Sequence, residues 1–333
     1  MPNHVRIRDV AERAGVSVSL VSTYLNSPDK VGERSSAKIQ RAIDDLQFVP
    51  NEAARQLRNG VSRMVAFVAF DIGDPFFTAV ARGAQQRAAE AGLRLVLAET
   101  RGDQQTETEY VALFKEQRVR GVLLAPAHDP ASYLTGLRRY GIEAVLIDHA
   151  PAPGWPAVVV GNRAGGRLAV EHLLDQGCTR IAVAGGTLDI PQVVDRRRGA
   201  ADSVADRSDV LLMSYDSTTR DVSAGREIGH RLLASAVRPD GVFCVNDSVA
   251  AGVRETLVAA ATDIPGDIAI IGYNDIATEA AGFETLSSIR VPDEHLGSTA
   301  VDLLLKSLDH PGFADQVEFT PELIIRASSR RTL

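Results

Sequence analysis

Two hydrophobic rhythms divide this chain. Over the first 46 residues, apolar side chains recur at helical spacing: Val10 and Ala14, then Leu20, Val21 and Tyr24, then Ile39, Ile43 and Leu46. From Met64 onward, apolar runs of strand length alternate with amphipathic stretches. MVAFVAF (64–70), LRLVLA (93–98), GVLLAP (121–126) and AVLIDH (144–149) form one series. IAVAGG (181–186), VLLM (210–213), GVFCVN (241–246) and IAIIGY (268–273) form a second. Helical patterns such as Phe76 to Ala91 and Asn162 to Gln176 lie between them. The first rhythm predicts an all-α head. The second predicts an α/β body of two doubly wound lobes, each a parallel sheet with helices on both faces. Ligands of such sheets bind beyond the carboxyl ends of strands, here in the cleft between lobes.

The head reads as two short helices joined at Gly15. The first spans about Ile7 to Ala14. Gly15 can take the positive φ of a sharp turn, and Ser17 suits the N-cap of the second helix. On that helix Leu20, Val21 and Tyr24 share one side, which packs on Val10 and Ala14. Val18, Ser19, Ser22 and Thr23 share the other. An ordinary surface helix carries Lys and Glu on its free face. Small, mostly hydroxylated residues instead permit close approach to base edges, so a helix-turn-helix unit that enters the DNA major groove is expected. A third helix runs over roughly Glu33 to Leu46. Next comes FVPNEAARQLRNG, residues 48–60, which reads either as a linker or as a short hinge helix formed on DNA. In the second case Leu57 would wedge into the minor groove.

Charge adds a little. The 333 residues carry a formal net charge of −7. Residues 1–60 nevertheless hold nine Lys/Arg against seven acids, so a mildly basic head precedes an acidic body. Cys178 and Cys244 lie far apart, show no metal spacing and suit a reducing compartment. Arg6, Arg8, Asp9, Glu12 and Arg13 break up any leader-like apolar core, and no apolar run approaches the ~20 residues of a membrane span. A cytoplasmic protein with no membrane partner is expected. Phosphate-loop, dinucleotide and G-x-S-x-G motifs are absent, and the seven histidines show no paired metal spacing. No catalytic residue, metal or cofactor is therefore assigned. A transporter's solute-binding protein would share the body but not the head.

DVAERAGVS, LVSTYLN and PNEAARQL resemble the head and hinge of the LacI/GalR family of bacterial transcription repressors. The likeness continues through DPFF (Asp74 to Phe77), RVRGVLLAP, EHLLDQGCTRIAVAGG, CVNDSVAAGV, DIAIIGYND and LSSIRVPDEHLG, in the family's order. The resemblance implies a DNA-binding head over 1–47, a hinge over 48–61 and an effector-binding and dimerisation body over 62–333. The body resembles a periplasmic sugar-binding protein. Its N-lobe would comprise about 62–160 and 292–320, and its C-lobe about 161–291 and 321–333. DNA contacts are expected from Arg8, Ser17, Val18, Ser19, Ser22, Thr23, Arg34, Asn51, Ala54, Arg55 and Leu57, with Lys38 and Arg58 as further phosphate ligands.

Effector contacts are expected from Asp74, Phe76, Phe77, Asp148, Arg196, Asn246 and Asn274, although Phe76 and Phe77 could equally be core and Asn246 could simply cap a helix. Of Arg196, Arg197 and Arg198, one side chain should enter the cleft and two should be solvated. Arginine forks, amides and carboxylates grip neighbouring hydroxyls. A sugar or polyol effector is thus expected first, and a nucleoside or purine second. Departures from the family include Asn274 for a frequent aspartate, Val222 for an aromatic, and Thr23 for an arginine on the reading face. The chain ends after SSRRTL without a leucine-heptad tail, so a homodimeric repressor on a near-palindromic operator is expected.

Overall fold

The computed structural model describes residues 5–49, 62–150, 152–187, 190–276 and 285–331. The chain divides into two compact units, Met1–Ser62 and Arg63–Leu333.

The first unit holds α1 (Ile7–Ala14), α2 (Val18–Asn26), a 3-10 turn (Pro28–Lys30) and α3 (Glu33–Leu46). Local chemistry sets each boundary. The Arg6 backbone N–H donates to the Asp9 carboxylate (2.7 Å), which satisfies one amide at the start of α1. Gly15 ends that helix at φ 66°, a conformation costly for any residue with a Cβ. The Ser17 hydroxyl accepts from the Leu20 amide (3.1 Å) at the start of α2. Val10, Ala11, Ala14, Val21, Val31, Ile39, Ala42 and Phe48 form the core, with Leu20, Tyr24, Ile43 and Leu46 half-buried around it.

The second unit contains two six-stranded sheets. Its strands are β1 (Met64–Ala69), β2 (Arg94–Glu99), β3 (Gly121–Leu124), β4 (Glu143–Ile147), β5 (Ala157–Val160), β6 (Arg180–Ala184), β7 (Leu211–Tyr215), β8 (Gly241–Cys244), β9 (Ala269–Asn274), β10 (Ser287–Arg290), β11 (Gln316–Phe319) and β12 (Glu322–Ile324). Its helices are α4 (Pro75–Glu90), α5 (Gln104–Glu116), α6 (Ala131–Arg139), α7 (Asn162–Asp175), α8 (Pro191–Asp202), α9 (Val222–Leu233), α10 (Asp247–Ala259) and α11 (Asp293–Asp309).

One sheet runs β11-β5-β4-β3-β1-β2 and the other β12-β10-β9-β8-β6-β7. The five-strand part of each, read from β2 or β7, follows the doubly wound order 2-1-3-4-5. The order reverses between β1 and β3, and again between β6 and β8. Among the described residues the pairings are parallel, as expected, except that the edge strand β12 runs antiparallel to β10. Two residues separate β11, at the edge of the first sheet, from β12, at the edge of the second, so the chain crosses between the sheets there.

β5, β10, β11 and β12 are absent from both strand series. They are three or four residues long, and in β10, β11 and β12 polar residues break the apolar run that marks equally short strands such as β3 and β8. Near-continuous apolar strands such as β1, β3 and β8 are buried on both faces.

Helix pairs close over the sheets through glycine. A Cβ at Gly166 of α7 would lie 1.9 Å from the Arg196 carbonyl oxygen, and one at Gly199 of α8 would lie 1.9 Å from that of Arg163. The two backbones therefore touch, and this contact sets where Arg196 stands.

Candidate functional site

The head presents one candidate surface. Val18 is 40% exposed and Ser19 is open to solvent, while Ser22 and Thr23 are half-buried. The opposite side is tied down: Val21 is fully buried and the Tyr24 hydroxyl donates to the Gln40 side-chain oxygen (2.7 Å). The expected division of the helix into a packed side and a small, polar side is present.

Two hydroxyls on the polar side already have local duties. Ser17 caps α2, and Thr23 donates to the Ser19 carbonyl (3.0 Å). Thr23 therefore offers a lone pair and a methyl outward rather than a proton. Arg8, Arg34 and Lys38 are exposed cations. Asn51, Ala54, Arg55, Leu57 and Arg58 lie outside the described residues.

The second candidate lies in the body, at the carboxyl ends of strands from both sheets. After β1 comes Phe70, then Asp74. The Asp74 carboxylate accepts from the Phe76 amide (3.0 Å) and caps α4, with Pro75 in its first turn. Phe76 and Phe77 are only 4% and 5% exposed. They meet edge to face at 5.2 Å within the main core. The structure thus places both rings in the core. The aromatic with open surface here is Phe70, which lies near-parallel to Phe77 at 6.4 Å.

After β4 comes Asp148, buried and held at φ 48°. Its Oδ1 accepts from the Asn162 amide (2.8 Å), and its carbonyl accepts from Gln192. Burial pushes its carboxyl up to about 6, although Arg196 and the Asn162 amide pull the other way. Asn162 opens α7 and passes the contact on: its Oδ1 accepts from Arg196 Nε (2.8 Å). Arg196 Nη1 donates to the Val245 carbonyl (2.5 Å), and the guanidinium lies 3.6 Å over the Tyr273 ring. One polar chain therefore links β4 of the first sheet to the ends of β8 and β9 of the second. Asn162, Gln192 and Tyr273 belong to this constellation but were not anticipated. The only available signal was their position at strand ends or helix starts.

The three arginines divide differently from expectation. Arg196 is buried and Arg198 solvated, but the Arg197 side chain is only 11% exposed. It donates to the Gly185 carbonyl (2.8 Å), to Ser214 and to Asp216 (2.7 Å). It ties β6 to β7, because a fork with several donors can bind several strand-end acceptors at once.

Asn246 is occupied by structure. Its Oδ1 accepts from the Val249 amide (3.0 Å) as the cap of α10, and its amide donates to the Arg220 carbonyl (2.8 Å). Asn274 is buried at φ 101°, and its Oδ1 has no hydrogen-bond partner among the described residues. Its neighbour Asp275 braces the loop, bound by Arg290 (2.8 Å) and Arg326 (2.6 Å). Asp247 accepts from Ser288 (2.6 Å) and the Ile276 amide (2.8 Å), and burial lifts its carboxyl to about 7.

Ser329 and His172 form a hydroxyl–imidazole pair (2.8 Å). Ser287 gives its proton to the Arg326 carbonyl (3.1 Å), so Ser329 gives its own to Ser287 (2.7 Å). His172 must then donate to Ser329 and cannot act as its base. Both residues are buried and fasten the C-terminal segment to α7. Among the described residues no group of three or more His, Cys, Asp or Glu could hold a metal, and no helix is long and apolar enough to cross a membrane.

Comparison with known proteins finds a match for each unit of the chain. Residues 6–51 match the bacterial regulatory proteins of the lacI family, and residues 170–329 match a periplasmic binding protein-like domain. The ribose operon repressor of Escherichia coli (strain K12) is 33% identical, over 97% of this chain and 99% of its own. The chain belongs to the lacI family of bacterial regulatory proteins. Within that family it is also similar to the HTH-type transcriptional repressor PurR of Photobacterium profundum, at 29% identity over 97% of this chain and 98% of that one. A solved LacI family regulator from Enterococcus faecium with bound ribose superimposes at a TM-score of 0.73. It has 25% identity and covers 80% of this chain and 98% of its own. This lacI-family repressor therefore combines the helix-turn-helix head of α1 and α2 with a two-lobed periplasmic-binding-like body.

Proposed function

We propose that this repressor binds a near-palindromic operator as a homodimer in the cytoplasm, and releases or tightens on it when a sugar occupies the cleft. Residues 1–47 read DNA, 48–61 form the hinge, and 62–333 bind effector and partner. The observation that carries the sugar reading is the set of polar groups at the strand ends. Asp148 offers acceptors, Arg196 has donors beyond the two it uses, and Asn274 Oδ1 is unpaired among the described residues. Neighbouring hydroxyls both donate and accept, so they can satisfy all three. A purine needs a flat aromatic platform; Phe76 and Phe77 are committed to the core, and the remaining ring, Phe70, is covered by Arg220. The 33% identical ribose repressor makes D-ribose the first sugar to test; the PurR likeness makes purines the second class.

On DNA, Ser19, Ser22 and Thr23 face base edges, Val18 meets a thymine methyl, and Arg8, Arg34 and Lys38 bind phosphates. Without an arginine at Thr23, the half-site departs from the family's commonest pattern. The dimer reading rests on the edge strand β2 and the loop beside it, which leave Val96, Leu97 and Ile72 at 37%, 46% and 45% exposure.

Isothermal titration with D-ribose, D-xylose, D-fructose, D-galactose, ribitol, guanine and hypoxanthine tests the effector class. A sugar should bind and shift operator affinity by about 1–3 kcal/mol in a gel-shift titration. Binding of a purine and of no sugar would replace this reading. A footprint showing the family's common half-site, unaffected by Thr23→Ala, would refute the DNA assignment.

A further inference from the structure

Arg220 is a cleft residue that the reading above leaves unused. It follows β7 and precedes α9, at the carboxyl end of the second sheet. Its guanidinium carbon stands 4.7 Å from the centre of the ring of Phe70, the residue that follows β1 of the first sheet. Both ends of this contact are held in place. The Arg220 carbonyl accepts from the Asn246 amide (2.8 Å), and Asn246 is itself locked as a helix cap. Phe70 is backed by Phe77 and lies so close to Gly102 that a Cβ there would stand 2.7 Å from the ring.

The guanidinium is nevertheless unfinished. Its Nη2 is buried and has no hydrogen-bond partner among the described residues. Asp74, Asp71 and Asp148 attract it electrostatically, but the Asp74 Oδ1 caps α4 and the Asp148 Oδ1 takes the Asn162 amide. A buried donor without an acceptor costs about 1–3 kcal/mol. A site that keeps one rewards a ligand that supplies the missing acceptor, and penalises one that lacks it.

We propose that Arg220 is a specificity-determining effector contact, whose Nη2 donates to one hydroxyl of a neutral sugar bound against Asp148 and Arg196. The ligand is neutral because the two arginines, Arg196 and Arg220, already share their surroundings with three carboxylates. An anionic ligand would gain two cations and meet three like charges. The inference rests on the sugar reading and narrows it to a single hydroxyl.

The test uses the full-length protein and titration calorimetry. The ligands are the tightest-binding sugar of the panel above and its monodeoxy analogues. Arg220→Met keeps the packing over Phe70 and removes the donor. It should weaken the parent sugar by about tenfold or more. It should also add no further loss for the one deoxy analogue that lacks the partner hydroxyl.

The deoxy series separates this from a structural role: a general loosening of the site weakens every analogue alike, whereas a lost donor weakens only those that keep its partner hydroxyl. The ligand-free variant should still unfold cooperatively on heating, at a lower temperature because Asp74, Asp71 and Asp148 lose an attracting charge. Affinity within about threefold of wild type, or an equal loss for every deoxy analogue, overturns the Arg220 inference alone. Wild-type protein silent to every sugar brings down the sugar reading, and this inference with it.

Discussion

The head and the body use polar groups in opposite ways. In the head the working residues sit on the surface, and their hydrogen bonds are local. Ser17 bonds Leu20, Thr23 bonds Ser19, and both hydroxyls keep room for a partner. In the body the working residues are buried, and their bonds are long-range. Asp148 meets Asn162 from 14 residues away, and Arg196 meets Val245 from 49. A surface helix face can therefore be changed without unfolding its carrier. A buried chain of a carboxylate, an amide and a guanidinium ties recognition to the stability of the whole lobe pair. That difference suits the two ligands: DNA is a large polyanion met at a surface, while a small polar effector must be enclosed to be gripped.

The largest test of the contrast is Arg196→Met. It leaves Asp148, Asn162 and the Val245 carbonyl short of a buried partner, and breaking such a pair costs about 3–5 kcal/mol. Urea unfolding of the body should show a loss of that order. A loss below about 1 kcal/mol would mean that the body's polar chain is as dispensable as a surface contact.

Next comes pH. The folded-state carboxyl of Asp148 titrates near 6, above its ordinary range. Its neutral form is thus favoured by folding. The stability it contributes is fully present below about pH 4 and is lost as pH rises through 6. Asp148→Asn keeps an acceptor for Asn162 and cannot ionise. The wild-type-minus-variant stability should fall by up to about 3 kcal/mol between pH 4 and 7. A flat difference would show that Asp148 is ionised in the folded protein at acid pH.

In the head the effects are smaller. Ser17→Ala removes the cap of α2 and should cost about 1 kcal/mol, with Ser17→Asp restoring it. Thermal unfolding of the head, followed by circular dichroism, reads this directly. The smallest effect is expected at the ion pair between Arg13 and Asp45 (2.8 Å), which joins α1 to α3 with side chains 60% and 52% exposed. A double-mutant cycle should give less than about 0.5 kcal/mol. A coupling of several kcal/mol there would erase the distinction between the two regions.

Legibility from sequence followed the same division. The three head helices, the Gly15 turn and the Ser17 cap were readable because helical spacing and capping act within a few residues. Eight strands were readable as apolar runs, which the fully buried β3 and β8 show even at four residues. β10, β11 and β12 were not, because Ser287, Ser288, Glu318 and Glu322 break the apolar run; β5 (Ala157–Val160) is an apolar run that was passed over.

At the cleft, Asp148 and Asn274 stood out by their strand-end positions, while Arg196, inside α8, was reached only through the family resemblance. Neither signal could foresee that Phe76 and Phe77 would turn into the core while Phe70 kept open surface, nor that Arg197 would be buried by Gly185, Ser214 and Asp216. Asn162, Gln192, Tyr273 and Arg220 offered no more than a position near strand ends or helix starts. What the chain determined by itself was its elements, their order and the two-lobed architecture, since each follows from periodicity and short-range chemistry. What only the tertiary structure decided was which polar groups meet, which are already spent on caps and braces, and which remain open to a ligand. Those contacts join residues tens of positions apart, and no spacing rule along the chain encodes them.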